Sequence, residues 1–315
     1  MTAILVTGGS GYVGGRLVRH LLTRGDEIRL ASRRPLSPIW AKDARTIVLD
    51  WDDPASVAAA CAGCRAVVHL AGLSDAECAR DPVQALRVNG EYTVRLLEAA
   101  IAAGCPRFVL FSTAHVYGAR LHGVVDETAL PLPRHPYGIS NRVAEDFVLT
   151  AHAQGRIGGL ALRLSNAIGA PVHADIDRWG LLVNDLCRAA AVGGPLVMRT
   201  AGLVSRDFIP LADVENALVH LLAVPLSAWG DGLMNLGSGQ GKSVAAMADL
   251  VLARARARGL DVVLQRPAPA PGETTAPLEY RIDKLRACGF TPQADLAAAI
   301  DETLDFCLAQ AKAMS

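Results

Sequence analysis

Short apolar, β-branched runs recur along the first half of the chain: Ile4-Leu5-Val6, Glu27-Ile28-Arg29-Leu30, Thr46-Ile47-Val48-Leu49, Ala66-Val67-Val68-His69-Leu70, Phe108-Val109-Leu110-Phe111 and Leu160-Ala161-Leu162-Arg163-Leu164. Continuous runs of this length suit strands covered on both faces. Between them lie Arg16 to Arg24, Pro54 to Ala62, Pro82 to Ala103 and Ser140 to Gln154, rich in Ala, Leu and Arg and long enough for helices. This alternation predicts an α/β fold, a doubly wound parallel sheet with right-handed crossovers and ligands at the carboxyl ends of its strands.

After Leu164 the rhythm breaks. Pro, Gly and Asp punctuate Asn166 to Gly180, a helix is predicted near Leu182 to Ala191, and Gly193-Gly194-Pro195 follows. A strand reappears at Leu233-Met234-Asn235-Leu236, then a helix near Val244 to Arg258 and a Pro-rich stretch from Pro267 to Pro277. The pattern predicts a sheet-bearing domain over 1–165, rejoined by 208–237, and a smaller interleaved C-terminal substrate lobe from 166–207 and 238–315.

Composition narrows the class. A 315-residue chain with 51% hydrophobic residues can bury a large core. No run approaches the ~18 apolar residues that span a bilayer. The first strand begins at Met1-Thr2-Ala3, which leaves no room for a signal peptide, so a cytoplasmic location is the expectation. Lys plus Arg and Asp plus Glu balance at 31 each, so no global field favours nucleic acid. The 7 cysteines are odd in number and scattered. Cys61-x-x-Cys64 is an isolated pair, read as two half-buried residues at a helix end, and no metal site is expected.

The chemistry begins at the first strand end. Thr7-Gly8-Gly9-Ser10-Gly11-Tyr12-Val13-Gly14 follows Ile4 to Val6 and precedes a helix. Gly8, Gly9, Gly11 and Gly14 allow a tight turn, close approach to a pyrophosphate and close helix–strand packing, the Rossmann-type dinucleotide fingerprint. Free N–H groups at the helix start then face the anion. The second strand ends in Ala31-Ser32-Arg33-Arg34, with no acid for a ribose 2′-hydroxyl. Arg33 and Arg34 suit a 2′-phosphate, which favours NADP(H) over NAD(H); the alternative is that these arginines simply face solvent. Asp50 and Trp51, after the third strand, are placed to meet the adenine through a carboxylate and a backbone amide.

Together with His69-Leu70-Ala71-Gly72, Asn89, Ser112-Thr113-Ala114-His115-Val116-Tyr117-Gly118, Pro136-Tyr137-Gly138-Ile139-Ser140, Arg163-x-x-Asn166 and Arg206-Asp207-Phe208-Ile209, this loop resembles the extended short-chain dehydrogenase/reductases, more narrowly the NAD-dependent epimerase/dehydratase family acting on nucleotide sugars. The resemblance implies cofactor contacts from Gly8 to Gly14 (Ser10, Tyr12 and Val13 included), Ser32, Arg33, Arg34, Asp50, Trp51, Leu70, Ala71, Gly72, Asn89, Tyr137 and Asn141. It implies Thr113 and Tyr137 as the catalytic pair, with Asn141 beside them. Substrate contacts are implied for Ser74, Thr113, His115, Asn166 and Arg206, the last two at the nucleotide diphosphate. Arg266 and Arg281 either reach that diphosphate or are surface charges. A homodimer formed by Pro82 to Ala103 and Ser140 to Gln154 is also implied.

One departure matters. The family pattern places Lys four residues after the Tyr, and here Asn141 stands there. Four residues rotate about 40° on a helix, so Asn141 faces as Tyr137 does, whereas Arg142, at about 140°, should point away. A cation about 4 Å from a phenol is worth up to roughly 4 kcal/mol at an effective dielectric of 20. Without it Tyr137 stays neutral at physiological pH and is a better proton donor than acceptor, which favours ketone reduction. Ala114-His115 does not supply the acidic pair of the related dehydratases; His115 is either a second acid/base group or a strand-end histidine bonded to backbone. The expectation is an NAD(P)-dependent epimerase or reductase of a nucleotide-linked sugar. The rivals are a family member with impaired catalysis and a reductase of a non-sugar ketone.

Overall fold

The computed structural model describes residues 2–118, 121–274 and 276–314. Met1 and Thr275, which fall inside two segments named above, lie outside the described residues. Seven strands form the central sheet: β1 Ala3–Thr7, β2 Ile28–Ser32, β3 Arg45–Val48, β4 Cys64–His69, β5 Arg107–Thr113, β6 Gly158–Leu164 and β7 Leu233–Leu236. Their order is β7-β6-β5-β4-β1-β2-β3, and every neighbouring pair is parallel. The chain winds outward from β1 in both directions, so the crevice between the carboxyl ends of β1 and β4 is the switch point where ligands bind in such sheets.

Burial explains why these strands read as unbroken apolar runs. All five residues of β1 are buried. One apolar layer joins the sheet to helices Tyr12–Thr23 and Leu211–Ala223, and a second joins it to helices Pro54–Cys61, Tyr92–Ala102 and Pro136–Ala153. A third cluster lies away from the sheet, where helices Leu182–Ala191, Val244–Ala257 and Leu296–Met314 pack together. Three strands link the two regions: Asn166–Ile168 runs parallel to Ser205–Pro210, which pairs antiparallel with Gly241–Ser243. Position 207/208 therefore falls inside a strand. Leu278–Tyr280 also returns to pair with Gly123–Val125.

Element boundaries differ from the pattern where a local chemistry intervenes. The first helix starts at Tyr12, not near Arg16, because Gly14 and Gly15 fit inside its first turn. The helix expected from Ser140 starts at Pro136, with Pro at its first position and the His135 ring accepting the Tyr137 N–H at 3.3 Å. The long helix expected over Pro82 to Ala103 is interrupted: Pro82–Ala85 leads into a π-helical stretch, Leu86–Glu91, before Tyr92–Ala102. Asn89 and Gly90 sit in that stretch. The Thr93 hydroxyl donates to the Asn89 carbonyl at 2.6 Å, in competition with regular helix bonding.

Candidate active site

The glycine loop is built by contact. Gly8 has φ +69°, and a Cβ there would lie 2.5 Å from the Ala71 nitrogen, on the loop that follows β4. A Cβ at Gly14 would overlap the Gly8 carbonyl. Gly11 caps helix Tyr12–Thr23 with no side-chain bond to its first N–H groups and no acid in the first turn, which leaves donors and dipole for an anion. Ser10 is exposed and Val13 half-buried beside it. The Tyr12 side chain turns away from the loop: its hydroxyl donates to the Gly169 carbonyl at 2.6 Å, so only its backbone is placed to meet a cofactor.

At the end of β2, Ser32 accepts the Arg34 N–H at 3.3 Å, and Arg33 and Arg34 are exposed. Neither arginine forms an ion pair among the described residues, whereas many surface arginines here do. Asp50 is exposed and accepts the Asp52 N–H at 2.9 Å. The Trp51 ring is buried and stacks on Tyr92 with centroids 5.2 Å apart, so its ring belongs to the core.

Leu70, Ala71 and Gly72 pass directly over the glycine loop. Asn89 holds them: its Oδ1 accepts the Leu73 N–H at 2.8 Å and its Nδ2 donates to Ser140 Oγ at 3.0 Å. Asn89 thus ties the β4 loop to the helix that carries Tyr137. Ser74 is engaged in its own capping box, its hydroxyl donating to Glu77 Oε2 at 2.6 Å, which makes it the start of helix Asp75–Arg80.

Thr113 ends β5, and Tyr137 lies in the first turn of helix Pro136–Ala153. Burial raises the Tyr137 pKa above the ordinary phenol value, and its polar and charged surroundings only partly oppose it. The hydroxyl is therefore protonated at neutral pH. Asn141 donates from Nδ2 to the Tyr137 carbonyl at 2.8 Å, which directs its amide along the helix. Arg142 points away, to Asp146 at 2.5 Å and Glu145 at 3.3 Å. The His115 ring meets Tyr137 edge-on, centroids 5.8 Å apart, and the His115 backbone N–H donates to Thr113 Oγ1 at 3.1 Å. Enclosure in the cleft, then the Arg206 charge, lower the His115 pKa, so the imidazole is neutral.

Beside this group opens a pocket lined among others by His115, Ser165, Asn166, Arg206, Asp207 and Tyr280. Asn166 and Arg206 lie together, with Arg206 Nη1 donating to Asn166 Oδ1 at 3.4 Å. Arg266 and Arg281 do not line it; they pair with Asp249 at 3.1 Å and Glu279 at 2.8 Å. Cys61 and Cys64 are buried free thiols, Cys61 pushed up to about 12 by burial.

Sequence reasoning passed over two buried networks behind the pocket. Asp207 accepts from Ser165 Oγ at 2.5 Å, Ser238 N and Oγ at 2.8 Å, and Gln240 N at 3.1 Å, and so fixes the loop after β7. Glu145 accepts from Ser112 Oγ at 2.5 Å and Arg163 Nη2 at 2.8 Å, and the Arg163 guanidinium lies 4.5 Å over the Tyr117 ring. The available signal was charge at positions that the strand and helix patterns bury.

Comparison with known proteins agrees with this geometry. The model of the NAD dependent epimerase/dehydratase family matches residues 4–237. A dTDP-6-deoxy-L-talose 4-dehydrogenase (NAD(P)(+)) of Kitasatospora kifunensis is 30% identical over 95% of this chain and 93% of its own. A UDP-glucose 4-epimerase of Rhizobium leguminosarum bv. trifolii is 28% identical over 96% of each. The structure of MoeE5 in complex with UDP-glucuronic acid and NAD superposes with a TM-score of 0.79 at 27% identity, covering 98% of this chain and 99% of that one.

Proposed function

From the premise that this chain belongs to the NAD dependent epimerase/dehydratase family and is an enzyme, we propose that it acts on a nucleotide-linked sugar as an NADP(H)-preferring reductase or epimerase at a carbinol or keto carbon. The observation that carries this reading is the pocket that joins His115, Asn166 and Arg206 beside Thr113 and Tyr137. Relatives named for UDP- and dTDP-sugars support a nucleotide diphosphate in that pocket.

The residues present fit a dinucleotide. The glycine loop leaves no room for a Cβ at Gly8 or Gly14, the uncapped helix start would face the phosphates, and Arg33 and Arg34, exposed and without an ion pair among the described residues, would meet a 2′-phosphate. Gly9, Ser10, Gly11, Leu70, Ala71 and Gly72 would line its path, with Asn141 at the nicotinamide end. A bound nicotinamide supplies or accepts hydride. In the reducing direction, Thr113 holds the substrate carbonyl oxygen by hydrogen bond and the Tyr137 hydroxyl gives it a proton. Arg206 and Asn166 hold the diphosphate by charge and hydrogen bond. On this reading 1–165 with 208–237 binds the dinucleotide, while 166–207 and 238–315 supply the sugar side. The exposed apolar residues Val83, Leu86, Ile139 and Phe147, on the two helical segments nearest Tyr137, support a homodimer.

The test is turnover of NADPH and of NADH, followed by nicotinamide absorbance, with a panel of UDP- and dTDP-linked 4-keto sugars. Faster turnover with NADPH is expected, and Tyr137→Phe should lose about 100-fold or more in kcat. Turnover with NADH alone, or full activity of Tyr137→Phe, overturns the reading.

A further inference from the structure

Asn166, Arg206 and Lys242 stand on three neighbouring strands. Asn166–Ile168 carries the first, Ser205–Pro210 the second and Gly241–Ser243 the third. Arg206 lines the pocket and donates to Asn166 Oδ1 at 3.4 Å. Toward the third strand, Arg206 is paired with Lys242 in antiparallel register, with Ser205 opposite Ser243 and Asp207 opposite Gly241. Directly opposite residues of an antiparallel pair leave the same face of the sheet, with Cβ atoms about 4.5–5.5 Å apart. Lys242 is thus rooted beside Arg206, on the face from which Arg206 meets the pocket.

Two cations in that register repel one another. Other cations nearby are met by carboxylates, Arg281 by Glu279 at 2.8 Å and Lys284 by Asp231 at 2.6 Å. Neither Arg206 nor Lys242 forms an ion pair among the described residues, and there the Lys242 ammonium has no hydrogen-bond partner either. Asp207, next to Arg206 in the chain, gives its carboxylate to Ser165, Ser238 and Gln240 instead. Those bonds fix the turn that leads into Lys242. On the far side of Lys242, Ser243 Oγ accepts the Ala246 N–H at 3.0 Å and caps helix Val244–Ala257. Gly241 is pressed against the pocket wall, where a Cβ would lie 1.9 Å from the Leu278 carbonyl oxygen. A fixed backbone that carries two unneutralised cations side by side suits an anion that bridges them.

We propose that Lys242 is a second diphosphate ligand, which closes with Arg206 on the two phosphates of the sugar nucleotide. The proposal rests on the reading that places the nucleotide diphosphate at Asn166 and Arg206. Both phosphates carry charge, so cations on adjacent strands neutralise the group better than one cation does, and the bound anion removes their mutual repulsion.

The test is calorimetric titration of the whole chain with UDP, UMP and NADPH, with a melting temperature for each ligand-free variant. Lys242→Gln should weaken UDP about 10-fold or more and UMP less, and leave NADPH unchanged. It should also keep or raise the melting temperature, because the repulsion is relieved, whereas loss of a merely structural residue would lower it. Lys242→Arg should retain UDP, and Lys242→Glu should lose it while stabilising the free protein by pairing with Arg206. If Arg206→Gln weakens UDP and Lys242→Gln does not, the proposal is overturned and the pocket remains the nucleotide site. Weakened NADPH in place of UDP assigns Lys242 to the cofactor and overturns it too. If the wild type binds no UDP, or Arg206→Gln leaves it unmoved, the pocket is not the nucleotide site and the proposal fails with it.

Discussion

Arg33 and Arg34 decide cofactor choice if the 2′-phosphate is what they meet. A charge-assisted hydrogen bond is worth about 1.5–3 kcal/mol, or about 10- to 100-fold in affinity. Replacing both with Ser should weaken NADP(H) by that factor and leave NAD(H) nearly unchanged in calorimetric titration; equal losses for both cofactors would refute the assignment. These two residues, Thr113 and Tyr137 were legible in the sequence because each follows a strand end or opens a helix at a motif spacing. At Ser74 the hydroxyl is engaged in its own capping box, and at Trp51 the ring is stacked on Tyr92, which leaves its backbone amide as the group for the adenine.

The elements are joined near the cofactor crevice by His69, at the end of β4. Thr93 gives its hydroxyl proton to the Asn89 carbonyl, so His69 Nε2 carries a hydrogen and donates to Thr93 Oγ1 at 2.9 Å, while Nδ1 accepts from Thr7 at 2.6 Å. One neutral tautomer satisfies strand, helix and glycine loop together. Burial pushes the pKa of His69 down to about 4. The unfolded chain protonates this ring below its ordinary value of about 6.5, and the folded chain does not. Its stabilisation is therefore whole above about 6.5 and is lost as pH falls toward 4, by up to about 3 kcal/mol. Urea midpoints measured across that range should fall in the wild type and fall less steeply in His69→Asn. A parallel decline in the two proteins would assign the acid sensitivity elsewhere. The alternation of strands and helices announced this scaffold, whereas the π-helical break at Leu86–Glu91 depends on side-chain bonds from Asn89 and Thr93 that a hydrophobic pattern does not encode.

For the whole molecule, the apolar residues left outside are as informative as those inside. Val83 is 80% exposed and Phe147 49%, on helical segments that pack side by side. Light scattering should give twice the chain mass for the wild type, and Phe147→Glu should shift it toward the single chain because a charge in an apolar contact is strongly unfavourable. A wild type of single-chain mass would remove the dimer. Sequence pattern located the sheet but left its interleaving with the later segments coarse, since strands of two or three residues, such as Leu196–Val197, carry too few positions to show a period.

All seven cysteines are buried free thiols, and burial raises the pKa of each, Cys307 to about 11. Alkylation requires both a thiolate and access to it, and the closed molecule offers neither. A maleimide or iodoacetamide added to the native protein thus records how often the molecule opens. The same silence leaves the chain a blank background, on which a single cysteine engineered at the surface is the one site that takes a label.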